Sequence, residues 1–147
     1  MEITIEQLLF DELLPYLRRQ ADEAFPSLKD GRRSRLLAKK WCESARFCTC
    51  RDVEGCLIGM IVYYANRPET GIAYISHVYI NTGFRGKGLF SRLLLCVKAD
   101  VMHNGFNQIQ LEVQKDNIRA QHVYLKSGFQ IGEETDESYY LNCNMNG

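Results

Sequence analysis

Apolar and polar residues alternate in MEITIEQ, the rhythm of a short first strand, and then pass to a helical spacing. In FDELLPYLRRQADEAF the apolar positions Leu13, Leu14, Leu17 and Ala21 recur three or four apart. Pro15 suits the first turn of such a helix or a local kink. PSLKDG breaks the pattern, and RRSRLLAKKWCESARF then sets Leu36, Leu37, Trp41 and Ala45 on one side of a second helix. FCTCRDVEGCLIGMIVYYA reads as a hairpin turning at DVEG, and NRPETG leads into a further strand, IAYISHVYI. Beyond GFRGKGLF, Leu89, Leu93, Leu94, Val97 and Val101 return to helical spacing, with Gly105 as the left-handed residue that ends the helix. In FNQIQLEV, Ile109, Leu111 and Val113 alternate with Gln108, Gln110 and Glu112, which predicts a strand with one face buried. Asp116 or Asn117 caps a helix carrying Ala120, Val123 and Tyr124 that stops at Gly128, and FQIGEE and SYYLNCNM finish as strands.

This order mixes seven strands with four helices, which predicts an α/β (α+β) fold: one mixed, mostly antiparallel central sheet flanked by helices. The stretch from Ile72 to Val113 is a strand–helix–strand crossover, so its two strands should be parallel neighbours. The 147 residues make one domain, 1–147, with no repeat or linker. Composition adds exclusions. Lysine and arginine balance aspartate and glutamate at 18 against 18, which argues against a nucleic-acid partner. The acidic N-terminus is unlike a signal peptide, and no apolar run approaches the roughly 18 residues of a membrane span, so a cytoplasmic protein with no membrane partner is expected. The six cysteines then read as reduced thiols; Cys48 and Cys50 share a strand face, but no second pair completes a metal set, so no metal is expected.

The chemistry concentrates in GFRGKGLF, residues 83–90, where a strand gives way to a helix. A helix's first turn exposes unpaired N–H groups at the positive end of its dipole, and glycines let an anion approach them closely. Arg85 and Lys87 add positive charge. The P-loop pattern fails because Leu89 stands where lysine belongs, and the dinucleotide fingerprint fails because the spacing is G-x-x-G-x-G. With NIRAQHVYLKSGF downstream, the chain resembles the GNAT superfamily of acetyl-CoA-dependent N-acetyltransferases over roughly residues 72–131. Arg85, Gly86, Lys87, Gly88, Leu89 and Phe90 match its pyrophosphate loop, and Asn117, Ala120, Tyr124, Gly128 and Phe129 match its downstream signature. Phe90 stands where the family has a small residue, so its ring either crowds the cofactor or turns to the core.

The resemblance implies a splayed parallel strand pair, with acetyl-CoA as cosubstrate between the strands ending at Ile80 and Val113. Backbone N–H groups of Val78, Tyr79 and Ile80 would stabilise the oxyanion, and Asn117 would bind the CoA arm or cap its helix. Tyr124 would be the general acid. The base is left open among His77, Tyr74, Glu112 and water. Simple alternation sets Tyr74 and Ser76 opposite His77 and Tyr79 unless a bulge intervenes. The acceptor is expected to be a small-molecule or peptide amine bound by FPSLKDGRRSR, YYANRPETG and ESYYLN. Arg32, Arg33 and Arg35 would attract an acidic acceptor or form a solvated face; Tyr63, Tyr64, Tyr139 and Tyr140 would line a pocket or pair across strands. A catalytically inactive acyl-CoA sensor or interaction module of the same fold is the competing reading. Uncovered C-terminal strands also offer a route to a homodimer.

Overall fold

The computed structural model describes residues 1–23 and 26–145. Its strands are β1 (Glu2–Glu6), β2 (Arg46–Arg51), β3 (Leu57–Tyr64), β4 (Ile72–Ile80), β5 (Gln108–Gln114), β6 (Gln130–Glu134) and β7 (Ser138–Asn144). The helices are α1 (Phe10–Glu23), α2 (Gly31–Ser44), α3 (Leu89–His103) and α4 (Ile118–Lys126). The strands form a single sheet in the order β1-β2-β3-β4-β5-β7-β6. Among the described residues only β4 and β5 run parallel, as the crossover through α3 requires.

Two cores lie on opposite faces of the sheet. Alternation sends Ile109, Leu111, Val113, Leu141 and Cys143 to one face, where they meet the stripe Leu93, Leu94, Val97 and Val101 of α3. The other core joins Leu13, Leu17, Ala38 and Trp41 of α1 and α2 to Phe47, Met60, Val62 and Tyr79 of β2, β3 and β4. The N–H of Phe106 reaches back to the Val101 carbonyl at 2.9 Å, and Gly105, at φ 93°, makes the left-handed turn that allows it.

Local details depart from the patterns in three helices and follow from packing. Pro15 lies inside α1, past the first turn, and the helix continues through it. Its missing N–H would have met the carbonyl of Asp11, an exposed residue of the first turn, where water can serve instead. In α2 the buried stripe is Ser34, Ala38 and Trp41, while Leu36 is 59% exposed, so the apolar side predicted through Leu36 is rotated. Ser34 and Ala38 are small enough for close approach to α1, and the Ser34 hydroxyl donates to the Leu28 carbonyl. Asp30 caps this helix, accepting from Arg32 N at 2.9 Å. In α4, Val123 points largely outward at 40% exposure, and Ala120 and Tyr124 face the core instead.

Candidate active site

The parallel pairing of β4 and β5 runs from Ile72↔Gln108 to Ile75↔Leu111 and ends there, although β4 continues to Ile80 and β5 to Gln114. The sheet is therefore open along Ser76–Ile80. On its other edge β4 stays paired with β3, and Asn81 N donates to Ile58 O at 2.9 Å. Ladder bonds alternate along an antiparallel pair, so the N–H groups of Tyr79 and Asn81 belong to β3 and those of Val78 and Ile80 face the gap. Of the three backbone donors expected from the sequence, the register directs two at the opening and commits Tyr79 to the ladder.

A bulge settles which side chains share a face. Val62 pairs with His77 and Tyr63 with Ile75, leaving Ser76 as the extra residue of β4. Ala73 and Ile75 before it, and Val78 and Ile80 after it, all face α3, while His77 and Tyr79 face α1 and α2. Tyr74 thus comes to the same face as His77, reversing the opposition that unbroken alternation would give. Two bulky aromatics, Trp41 and Tyr16, are also seated on this face: the Trp41 and His77 rings stand 5.1 Å apart, and Tyr16 meets Tyr79 edge-on at 5.7 Å. His77 Nε2 lies 2.6 Å from Gln20 Oε1, which makes that nitrogen the donor as the amide is oriented. Burial pulls the His77 pKa down to about 4, so the ring is neutral near pH 7 and a weak base.

The glycine loop begins where β4 ends. Arg85 Nε donates to Ile80 O at 2.7 Å and its guanidinium lies 5.4 Å from the Tyr79 ring centre, tying the loop to the strand. Gly86 and Gly88 have φ of 75° and 77°, a region costly for any residue with a Cβ, and nothing lies within 4 Å of where such a Cβ would stand. Gly88 is the cap of α3 and offers no side chain to it. The N–H groups from Gly86 through Ser91 accordingly find no acceptor among the described residues. Lys87 extends over Phe84 at 5.9 Å. The pieces make an open, positively polarised cradle that suits an anion.

Leu89 and Phe90, the first residues of α3, both turn into the core. The Phe90 ring meets Tyr124 edge-on at 5.6 Å, and Tyr124 meets Phe129 at 5.9 Å, so α4 delivers a phenol beside the start of α3, where the cradle ends. The orientation of Phe90 leaves the cradle's rim clear. The Tyr124 hydroxyl has no hydrogen-bond partner among the described residues, and burial pushes its pKa up to about 12. Asn117 Oδ1 accepts from Ala120 N at 3.1 Å and caps α4.

The acetyltransferase (GNAT) family profile matches residues 9–129. The chain belongs to the GNAT acetyltransferase family. Solved GNAT structures share its fold. PaiA N-acetyltransferase from Thermoplasma acidophilum, solved with coenzyme A, is 16% identical with a TM-score of 0.77, over 98% of this chain and 99% of that one. A chimera of spermidine N-acetyltransferase SpeG from Vibrio cholerae and hSSAT is 18% identical at TM-score 0.75, over 97% and 96%. Nourseothricin acetyltransferase is 19% identical at TM-score 0.61, over 70% of this GNAT chain and 66% of its own. No curated protein sequence matches the chain significantly.

The other expected site residues separate. Tyr63 is buried on the α3 face, its hydroxyl donating to Asp100 at 2.7 Å, whereas Tyr64 lies across the sheet under Lys40. Tyr139 and Tyr140 also take opposite faces, so the four tyrosines form no single pocket. Arg32, Arg33 and Arg35 are exposed at the start of α2. Phe25, in the segment expected to bind the acceptor, falls outside the described residues. Cys48 and Cys50 are buried free thiols. Among the described residues no His, Cys, Asp and Glu cluster is arranged for a metal, and no helix is long and apolar enough to cross a membrane. Sequence patterning missed the Asp100–Tyr63–Arg46 network and the Gln20–His77 contact, because neither partner's spacing signals the other.

Proposed function

We propose that this chain is an acetyl-CoA-dependent N-acetyltransferase acting on a primary amine by direct attack on the thioester. The observation that carries the reading is the opening of the sheet beyond Ile75 and Leu111, immediately before a loop of unpaired N–H groups. Acetyl-CoA supplies an activated acetyl group: a C–N bond forms to the acceptor, the C–S bond breaks, and the amine's proton is lost. The loop from Gly86 to Ser91 holds the pyrophosphate, and Asn117 supports the CoA arm while capping α4. Val78 and Ile80 aim backbone N–H groups at the developing oxyanion, preset by the β3 ladder and needing no reorganisation.

Tyr124 donates a hydrogen bond to the departing sulfur. With its pKa near 12 it is protonated at neutral pH. Full proton transfer to a thiolate of ordinary pKa near 8.5 would run uphill by about 5 kcal/mol, so Tyr124 acts by hydrogen bonding while solvent supplies the final proton. His77, neutral and packed on Trp41, supports the strand rather than taking the amine's proton; water at the exposed mouth beside Ser76 takes it.

Calorimetric titration with acetyl-CoA, ATP and NAD tests the cradle, with Gly88→Glu placing bulk and negative charge in it. Selective acetyl-CoA binding lost in the variant supports the reading, and equal binding of all three ligands refutes it. Acceptor-dependent CoA release that falls at least tenfold in kcat in Tyr124→Phe, with acetyl-CoA affinity retained, separates an enzyme from a non-catalytic sensor.

A further inference from the structure

The face of the sheet packed by α1 and α2 is covered only in part. Its core draws strand residues from β2, β3 and β4 and none from β5, β6 or β7. On the uncovered half, alternation presents Tyr74, Gln110, Glu112, Tyr140 and Asn142, because their neighbours Ile75, Leu111, Val113 and Leu141 all face α3. Glu112 stands directly opposite Tyr140 across the β5–β7 ladder. Tyr74 pairs with Gln110, one row away, and burial together with the charge of Glu112 raises its pKa. Gln110 Nε2 donates to Asn142 Oδ1 at 3.2 Å, so the two amides on this face engage each other.

Glu112 is exposed and forms no ion pair among the described residues. Lys115, close by in sequence, is taken up by Glu134 at 2.6 Å and lies over the Tyr139 ring on the opposite face. The neighbouring Tyr64 shows what this face accepts: the ammonium of Lys40 sits 5.8 Å from its ring centre. A carboxylate between two tyrosine rings favours a cation through charge and through the rings' negative faces. It also lies at the mouth of the gap, since the register Ile75↔Leu111 makes Glu112 and Ser76 the first unpaired step.

Resting on the proposed transferase reading, we propose that Glu112, framed by Tyr74 and Tyr140, binds a second cationic group of the acceptor, which is therefore an aliphatic diamine. Position along the strand separates this role from that of a base. At about 3.3 Å per residue, the level of Glu112 is about 7 Å from that of Val78, whose N–H would hold the reacting carbonyl. An extended four-carbon diamine spans that interval, with one nitrogen at Glu112 and the other at the thioester.

The test compares kcat/KM for 1,4-diaminobutane, 1-butylamine and 4-aminobutyrate, with acetyl-CoA binding followed in parallel by calorimetry. Wild type should prefer the diamine over butylamine by about tenfold, mostly through KM. Glu112→Gln should bring that ratio close to one, Glu112→Asp should keep part of it, and Glu112→Lys should shift preference toward 4-aminobutyrate. Equal use of diamine and butylamine by wild type would overturn the proposal, as would an equal fall in kcat for both in Glu112→Gln, which would make Glu112 the base. A protein that binds no acetyl-CoA would refute the transferase reading itself, and this proposal with it.

Discussion

Burial drives His77 and Tyr124 in opposite directions on the pH scale, and both stay uncharged at neutral pH. For His77 the consequence is a pH-dependent stability. Unfolded, its imidazole titrates near 6.5, and folded near 4. Between these values the unfolded chain binds a proton that the folded chain refuses, so stability falls as pH drops through the window, by on the order of 3 kcal/mol below it. Thermal melts of His77→Gln should therefore lose less stability between pH 6.5 and pH 4 than wild type. Parallel losses would show that burial of this ring is not what weakens the fold in acid. Kinetics give an independent check: with His77 outside proton transfer, the pH–rate profile near neutrality should keep its shape in the same variant. Little of this was legible in the chain. A histidine on a strand invites a catalytic reading, and only the Trp41 ring and Gln20 amide, distant in sequence, reveal its setting.

At the level of elements, the glycines divide by what their backbones do. Gly88 holds φ at 77° as the cap of α3, whereas Gly31, the first residue of α2, has no such constraint and open space around it. Gly88→Ala should cost about 1–2 kcal/mol from left-handed backbone strain alone and also weaken acetyl-CoA binding. Gly31→Ala should instead stabilise by about 0.4–1 kcal/mol by restricting the unfolded chain. Denaturant melts of the two variants should shift in opposite directions, and a shared direction would contradict the backbone argument. Asn117→Ala removes the bond to Ala120 N and should cost about 1 kcal/mol. Asn117 was readable because a helix cap demands particular residue types locally, and Gly88 because it belongs to a dense glycine loop ahead of a helix. The Ser76 bulge was not, because a bulge is a property of how two strands pair; the buried side of α2 was not, because the partner helix selects Ala38 over Leu36.

For the whole molecule, the decisive feature is the opening of the sheet where β4 and β5 part beyond Ile75 and Leu111. The glycine cradle and Tyr124 lie with α3 and α4, while Glu112, Tyr74 and Tyr140 lie on the face that α1 and α2 cover only in part. On the proposed reading, a cofactor held on one face and an acceptor bound on the other meet where β4 and β5 part. Amide hydrogen exchange tests this residue by residue. The N–H of Tyr79 is held in the β3 ladder and should exchange slowly, as should the paired amides of β5 near Leu111. Those of Val78 and Ile80 face the opening and should exchange at least tenfold faster than Tyr79, despite lying on the same strand in the middle of the sheet. Acetyl-CoA should slow Val78 and Ile80 selectively, along with the amides from Gly86 to Ser91. A diamine added alone should leave all of these unchanged, since its proposed contacts are side chains on the opposite face. Equal protection along β4 in the free protein would mean that the strands close in solution, and the oxyanion role of Val78 and Ile80 would then have to be abandoned.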